Sequence, residues 1–185
     1  MGKRFFLVWT SVILVNAFFI SGTGISEQEE KDTWEPIRFL LGEWRGEGEG
    51  SKVRHTYKFV LQDKFIHSRT RAEFEPKEGE EKGEIHEDWG FFSHDSDRDK
   101  IIFRQFLSEG FVNTYVLNPI EPGDNRLIFN SESTEGAGGM LARLTIELLN
   151  ENEYRMLLDL ASPGKEFFNC QDISMHKVNQ RHDIR

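Results

Sequence analysis

The sequence predicts an all-β fold: a single closed ten-stranded antiparallel up-and-down barrel with a short helical plug at its N-terminal end. Three observations carry this expectation. Strand-like runs bounded by turn chemistry recur about every ten residues from Gly42 onward. The first of them, Gly42-Glu43-Trp44-Arg45-Gly46-Glu47-Gly48-Glu49-Gly50, separates at period 2 into a face of glycines and one tryptophan and a face of charges. The breaks are mostly short enough for hairpins, and a meander of ten strands closes most economically on itself because closure removes both edges. An interior rich in phenylalanine, with 16 in the chain, suits such a β-rich core.

Residues 1–24 read as a secretory signal peptide. Lys3 and Arg4 precede an apolar run from Phe5 to Ile20, and Ser21-Gly22-Thr23-Gly24 supplies small residues for cleavage. The tripartite layout predicts an exported protein, periplasmic or secreted and without a membrane span after cleavage; an uncleaved anchor is the alternative, since the run is only a little short of the roughly 18 residues that suggest a membrane span. Losing Lys3 and Arg4 takes the formal charge from −9 to −11. An acidic domain with no basic stripe is not expected to bind nucleic acid. Cys170 is the single cysteine, so no internal disulfide braces the fold.

Residues 25–33 form a polar lead-in. Trp34 to Leu41 then places apolar residues at helical spacing behind Pro36, which predicts one or two helical turns plugging the barrel end. The barrel domain spans 34–180 and a polar tail 181–185. Its ten runs lie near 42–50, 52–61, 65–75, 84–93, 100–107, 111–118, 126–132, 139–149, 153–161 and 167–178. Turn residues separate them, among them Gln62-Asp63-Lys64, Ser96-Asp97-Arg98-Asp99, Asn150-Glu151-Asn152 and Pro163-Gly164-Lys165.

Alternation assigns the inward side chains. The second run turns Val53, His55, Tyr57 and Phe59 inward, and the third Ile66, Ser68, Thr70, Ala72 and Phe74, leaving Arg69 and Arg71 outside. In the fourth run the apolar majority favours Ile85, Glu87, Trp89 and Phe91 as the inner face over His86, Asp88, Gly90 and Phe92. In the fifth run Arg104 on the opposite face turns Gln105 inward; in the sixth neither face is clearly wet, and Asn113 and Tyr115 are assigned inward; runs seven to nine offer almost only hydrocarbon, with Tyr154 and Met156 of the ninth facing in. The interior therefore has a polar wall and an apolar wall. Buried polar groups need partners, and a pocket that is mostly apolar with a few placed polar groups is the usual form of a small-molecule site. The candidate ligand-binding residues are Trp44, Gly46, Gly48, His55, Tyr57, Glu87, Trp89, Gln105, Asn113 and Tyr115.

Gly42-x-Trp44-x-Gly46-x-Gly48, following Phe39-Leu40-Leu41, resembles the opening of the nitrobindin-like barrels, a ten-stranded branch of the calycin group that includes lipocalins and fatty-acid-binding proteins. The closing segment from Gly164 to Phe167 through Ile173-Ser174-Met175 resembles the last hairpin of exported bacterial barrels of unassigned function. The resemblance implies a cavity-bearing barrel and, for nitrobindins proper, haem held by a histidine near the chain end. His176 is the positional match for that metal ligand. Alternation places it with Asp172 and Ser174 on the outer face, unless a bulge between Asn169 and Ile173 reverses the register, and His55 is then the alternative ligand.

The expected function is a non-catalytic binding barrel for haem or another hydrophobic or amphipathic molecule. One alternative is an enzyme using His55 or Glu87 as base and Tyr57 or Tyr115 as acid. The chain has no nucleophile elbow, His-Glu-x-x-His helix or clustered metal ligands to support it. Another is an interaction protein without a ligand, working through an outer face such as that of Arg69 and Arg71.

Overall fold

A computed structural model describes residues 32–178 apart from 49, 77 and 80. The signal peptide expected over 1–24, most of the polar lead-in and the tail over 181–185 lie outside the described residues. A 3₁₀ helix over Glu35–Leu40, with Pro36 in its first turn, precedes ten strands. These are β1 (Gly42–Gly48), β2 (Ser51–Val60), β3 (Phe65–Phe74), β4 (Ile85–Asp95) and β5 (Lys100–Phe106), then β6 (Val112–Leu117), β7 (Arg126–Glu135), β8 (Leu141–Asn150), β9 (Glu153–Ala161) and β10 (Phe168–Lys177). Each strand pairs antiparallel with the next, and β1 pairs with β10, so the barrel is closed. All ten expected runs are strands, with boundaries shifted by a few residues.

The short helix closes one end. Its Ile37 and Leu40 are buried with the preceding Trp34, and Leu40 presents its carbonyl to the Trp44 indole N–H at 2.7 Å. Trp44 is fully buried, its ring centroid 4.7 Å from that of Tyr154, and the Lys177 ammonium lies 5.0 Å above it. The opposite end, bounded by the β1–β2, β3–β4, β5–β6, β7–β8 and β9–β10 turns, is the mouth.

The glycines of β1 explain the closure. A Cβ at Gly46 would stand 2.5 Å from the Ser174 carbonyl oxygen and 2.6 Å from the Met175 sulfur. The bare strip therefore lets β10 lie close against β1, where the ladder runs among the described residues over three register pairs, from Trp44↔Lys177 to Gly46↔Met175. This corrects the expectation that Trp44, Gly46 and Gly48 face a ligand: the space they leave is taken by Ile173 and Met175, and Trp44 is part of the plugged end.

Strand β4 has the opposite facing to that expected from its apolar residues. Gly90 and Phe92 are buried, whereas Ile85, Trp89 and Phe91 lie on the outside. Two features decide it. Phe92 stacks on Phe103 at 4.2 Å inside, beside Gly90, where any Cβ would meet the Phe103 ring at 2.5 Å. Outside, the β3–β4 register sets Arg69 and Arg71 against Trp89 and Glu87, and Glu87 accepts two hydrogen bonds from Arg69 at 2.9 and 3.1 Å. Glu87 and Trp89 are therefore not cavity residues. Trp89 donates its indole N–H to Glu87 at 2.8 Å and, with Phe91, covers His67 on the outer surface.

Candidate functional site

Between the plugged end and the mouth lies an interior cavity of about 160 Å³. Its polar wall comes from consecutive strands: His55 and Tyr57 of β2, Ser68 and Thr70 of β3, His86 and Asp88 of β4, Gln105 of β5, and Asn113 and Tyr115 of β6. The facing wall is hydrocarbon, supplied by Leu144 of β8 and by Met156 and Leu158 of β9. Of the expected ligand residues, His55, Tyr57, Gln105, Asn113 and Tyr115 are brought together here. Trp44, Gly46, Gly48, Glu87 and Trp89 are not.

His55 belongs to a neutral hydrogen-bonded group. Its Nδ1 lies 2.8 Å from the Tyr154 hydroxyl and 3.2 Å from that of Tyr57. Burial pushes the imidazole down to about 4 and the Tyr57 phenol up to about 12, because each charged form would lose its hydration. Tyr154 is raised well above the ordinary phenol range, first by burial and then by its neighbour Tyr57. None of the three therefore carries charge near neutral pH. Tyr154 was legible only as an apolar-wall residue; its hydroxyl reaches across the barrel from β9 to β2, which spacing along one strand does not reveal.

The charged part of the site sits toward the mouth, on the side of β4 that the apolar majority concealed. Asp88 is half-buried, and its carboxyl is pushed up to about 6, chiefly by burial and then by the charge of Glu109. The Ser108 N–H, His86 and the Gln105 amide, 3.4 Å away, act in the opposite direction. His86 has its Nδ1 2.5 Å from Glu109 and its Nε2 3.4 Å from Glu84. The glycine at position 90, which demands close approach within a strand, is the sequence signal that would have turned this strand round. Asn113 donates its amide to the Tyr115 hydroxyl at 3.0 Å, while its buried Oδ1 has no partner in the protein. Neither lysine nor arginine lines the cavity.

His176 is exposed on the outer surface of β10, in the same alternation as Asp172 and Ser174. A bulge does interrupt β10, between Asn169 and Gln171, and Asn169 stabilises it through contacts of its amide with Asp159 and the Gln171 carbonyl. It precedes the Ile173–Met175 alternation, so it turns Gln171 toward the cavity mouth and leaves His176 outside. The residues present do not fit haem. The positional histidine points away from the interior, His55 is buried with Nδ1 between two phenols, and the cavity is well below the roughly 300–1,000 Å³ of pockets for drug-sized ligands. A larger concavity of about 630 Å³ is an open depression on the outside of β1 to β3 and β10, lined by Arg45, Arg54 and Arg71 and by His176. It opens to solvent among the charged residues of the outer surface and makes no enclosed site. Among the described residues, no group of side chains is arranged to hold a metal ion, and no helix is long and apolar enough to cross a membrane.

No protein-family model matches the sequence, and no curated protein matches it. Among solved structures, the crystal structure of Rv2717c from M. tuberculosis is similar to this chain, with a TM-score of 0.55 and 12% sequence identity. The match covers 80% of this chain and 98% of that one. At that identity the likeness speaks to the barrel fold alone.

Proposed function

We propose that the chain is a calycin-type, non-catalytic binding barrel for a compact amphipathic molecule. The observation that carries this reading is the two-walled cavity, with hydrogen-bonding groups from β2 to β6 facing hydrocarbon from β8 and β9. An apolar cavity of about 150 Å³ is enough to take benzene, so a volume of about 160 Å³ suits a single small ring bearing a polar group rather than haem or a long acyl chain. A fatty-acid carboxylate is disfavoured further, because the lining holds carboxylates and neither lysine nor arginine to receive it. The signal-like layout of residues 1–24 supports the same role in an exported protein.

The test is a titration of the chain with phenol, followed by amide chemical shifts, beside a ferric-haem titration followed at the Soret band with His55→Ala and His176→Ala as companions. Saturable shifts confined to cavity residues, with no Soret change that either histidine controls, are expected. A one-to-one Soret shift abolished by either substitution would restore the haem reading. Absence of any saturable change with phenol would oppose a binding cavity.

One observation favours acid–base chemistry as a second reading. Asp88 borders the cavity with a carboxyl near 6, a value suited to proton transfer at neutral pH. The base in that reading moves from Glu87 to Asp88.

A further inference from the structure

We propose that the cavity selects small organic amines in their protonated form, with Asp88 pairing the ammonium group, Asn113 accepting a further N–H, and the hydrocarbon body lying on Leu144 and Met156. The inference rests on the binding reading above and names its ligand class.

The first support is an imbalance of charge. On the outer surface four strand carboxylates are matched with arginines: Glu73 with Arg71, Glu87 with Arg69, Asp159 with Arg143 and Asp172 with Arg155. Asp88 faces inward, and among the described residues no lysine or arginine forms an ion pair with it. Its neighbours are the Gln105 amide, the Ser108 N–H and the His86–Glu109 pair, in which Glu109 adds a second negative charge. A half-buried carboxylate short of a counter-cation is stabilised by any ligand that brings one.

The second support is independent of charge. Asn113 is 8% exposed and lines the same cavity, and its Nδ2 is committed to Tyr115 while its Oδ1 has no partner in the protein. The cross-strand register sets Gln105 opposite Asn113, and Gln105 reaches Asp88, so the two acceptors lie on either side of one amide. An ammonium group offers three donors and no acceptor, which is the complement of this pair. An anion would be repelled by Asp88 and Glu109 and would find in the lining neither lysine nor arginine, only His86, which already pairs with Glu109. His55, Tyr57 and Tyr154 contribute no opposing charge, because burial keeps all three neutral. The formal charge of −9 on the chain adds long-range attraction for a cation.

The experiment titrates the full chain at low salt with benzylamine, benzyl alcohol and benzoate, which share a ring and differ in charge, by calorimetry and by amide shifts. Benzylamine is expected to bind about ten-fold or more tightly than benzyl alcohol, as a charge-assisted hydrogen bond allows, with benzoate weakest. Benzyl alcohol should displace it from a single site. Asp88→Asn, checked for an intact melt, should remove the advantage of the amine and keep the alcohol bound. Equal affinities for the three would overturn the charge selection while leaving the binding reading in place. Amine binding that survives Asp88→Asn, or that the alcohol does not displace, would overturn the assigned seat. Failure of all three probes would remove the binding reading and this inference with it. The charge series on the parent protein needs no variant, so a poorly folded Asp88→Asn would not shield the proposal.

Discussion

Replacing Gly46 with alanine is expected to destabilise the barrel without touching its ligand site. The new methyl would stand 2.5 Å from the Ser174 carbonyl oxygen and 2.8 Å from Ile173 Cγ2, against the 3.4 Å at which ordinary contact begins. The carbonyl belongs to the backbone, so β10 must retreat by about an ångström, the difference between those distances. The retreat occurs at the last of the three register pairs that close the ladder. Overpacking of this kind costs about 1–3 kcal/mol, which for a domain of this size is a fall in Tm of roughly 2–12 °C. Gly48→Ala is the graded control, because its methyl would meet the movable Ile173 Cγ1 at 3.1 Å and should cost less. Urea unfolding of the three proteins measures the difference, and titration with a cavity probe shows whether affinity is retained. A Gly46→Ala protein as stable as the parent would refute the argument that the glycine strip exists for strand closure. A fall in affinity without a fall in stability would return the strip to the ligand site.

Three further outcomes follow from the buried groups and the outer ion pair. Because His55 is depressed to about 4, the unfolded chain takes up its proton first as the pH drops below 6.5. Stability is therefore lost between pH 6.5 and 4, by about 3 kcal/mol at most. Asp88 works the other way: its carboxyl is raised to about 6, so the folded state binds the proton first and gains stability as the pH falls from 6 toward 3.8. Asp88→Asn should thus stabilise the protein at pH 7 and steepen its loss of stability toward pH 4.5, read from urea melts, and an unchanged pH profile would contradict the assignment. Tyr154→Phe removes the shorter hydrogen bond to His55 while Tyr57 stays 3.2 Å away, and should cost about 1–2 kcal/mol in the same assay; no loss at all would mean the contact carries nothing. Glu87→Gln breaks a solvent-exposed pair with Arg69 and should leave the urea midpoint nearly unchanged with no change in probe affinity, and a large affinity loss would place Glu87 back in the interior.

Local chemistry was enough to specify the strands, their turns and most of their facings. Alternation over Val53, His55 and Tyr57, or over Tyr154 and Met156, is decided by one apolar and one charged face, and the structure keeps those assignments. The same rule placed His176 outside, because the bulge in β10 lies before the stretch that orients it. Strand β4 lay beyond this reasoning, since both its faces carry aromatic and ionisable residues and the choice rests on partners distant in sequence. Arg69 and Arg71 draw Glu87 outward, and Phe103 requires a bare Gly90 beneath it. That one reversal exchanged Glu87 for Asp88 and brought His86 to the mouth. The hydroxyl of Tyr154 on His55, 99 residues away in sequence, and the filling of the glycine strip by Ile173 and Met175 were likewise settled only when the barrel closed. A strand determines which of its side chains share a face, but only packing against its neighbours determines which face is inside.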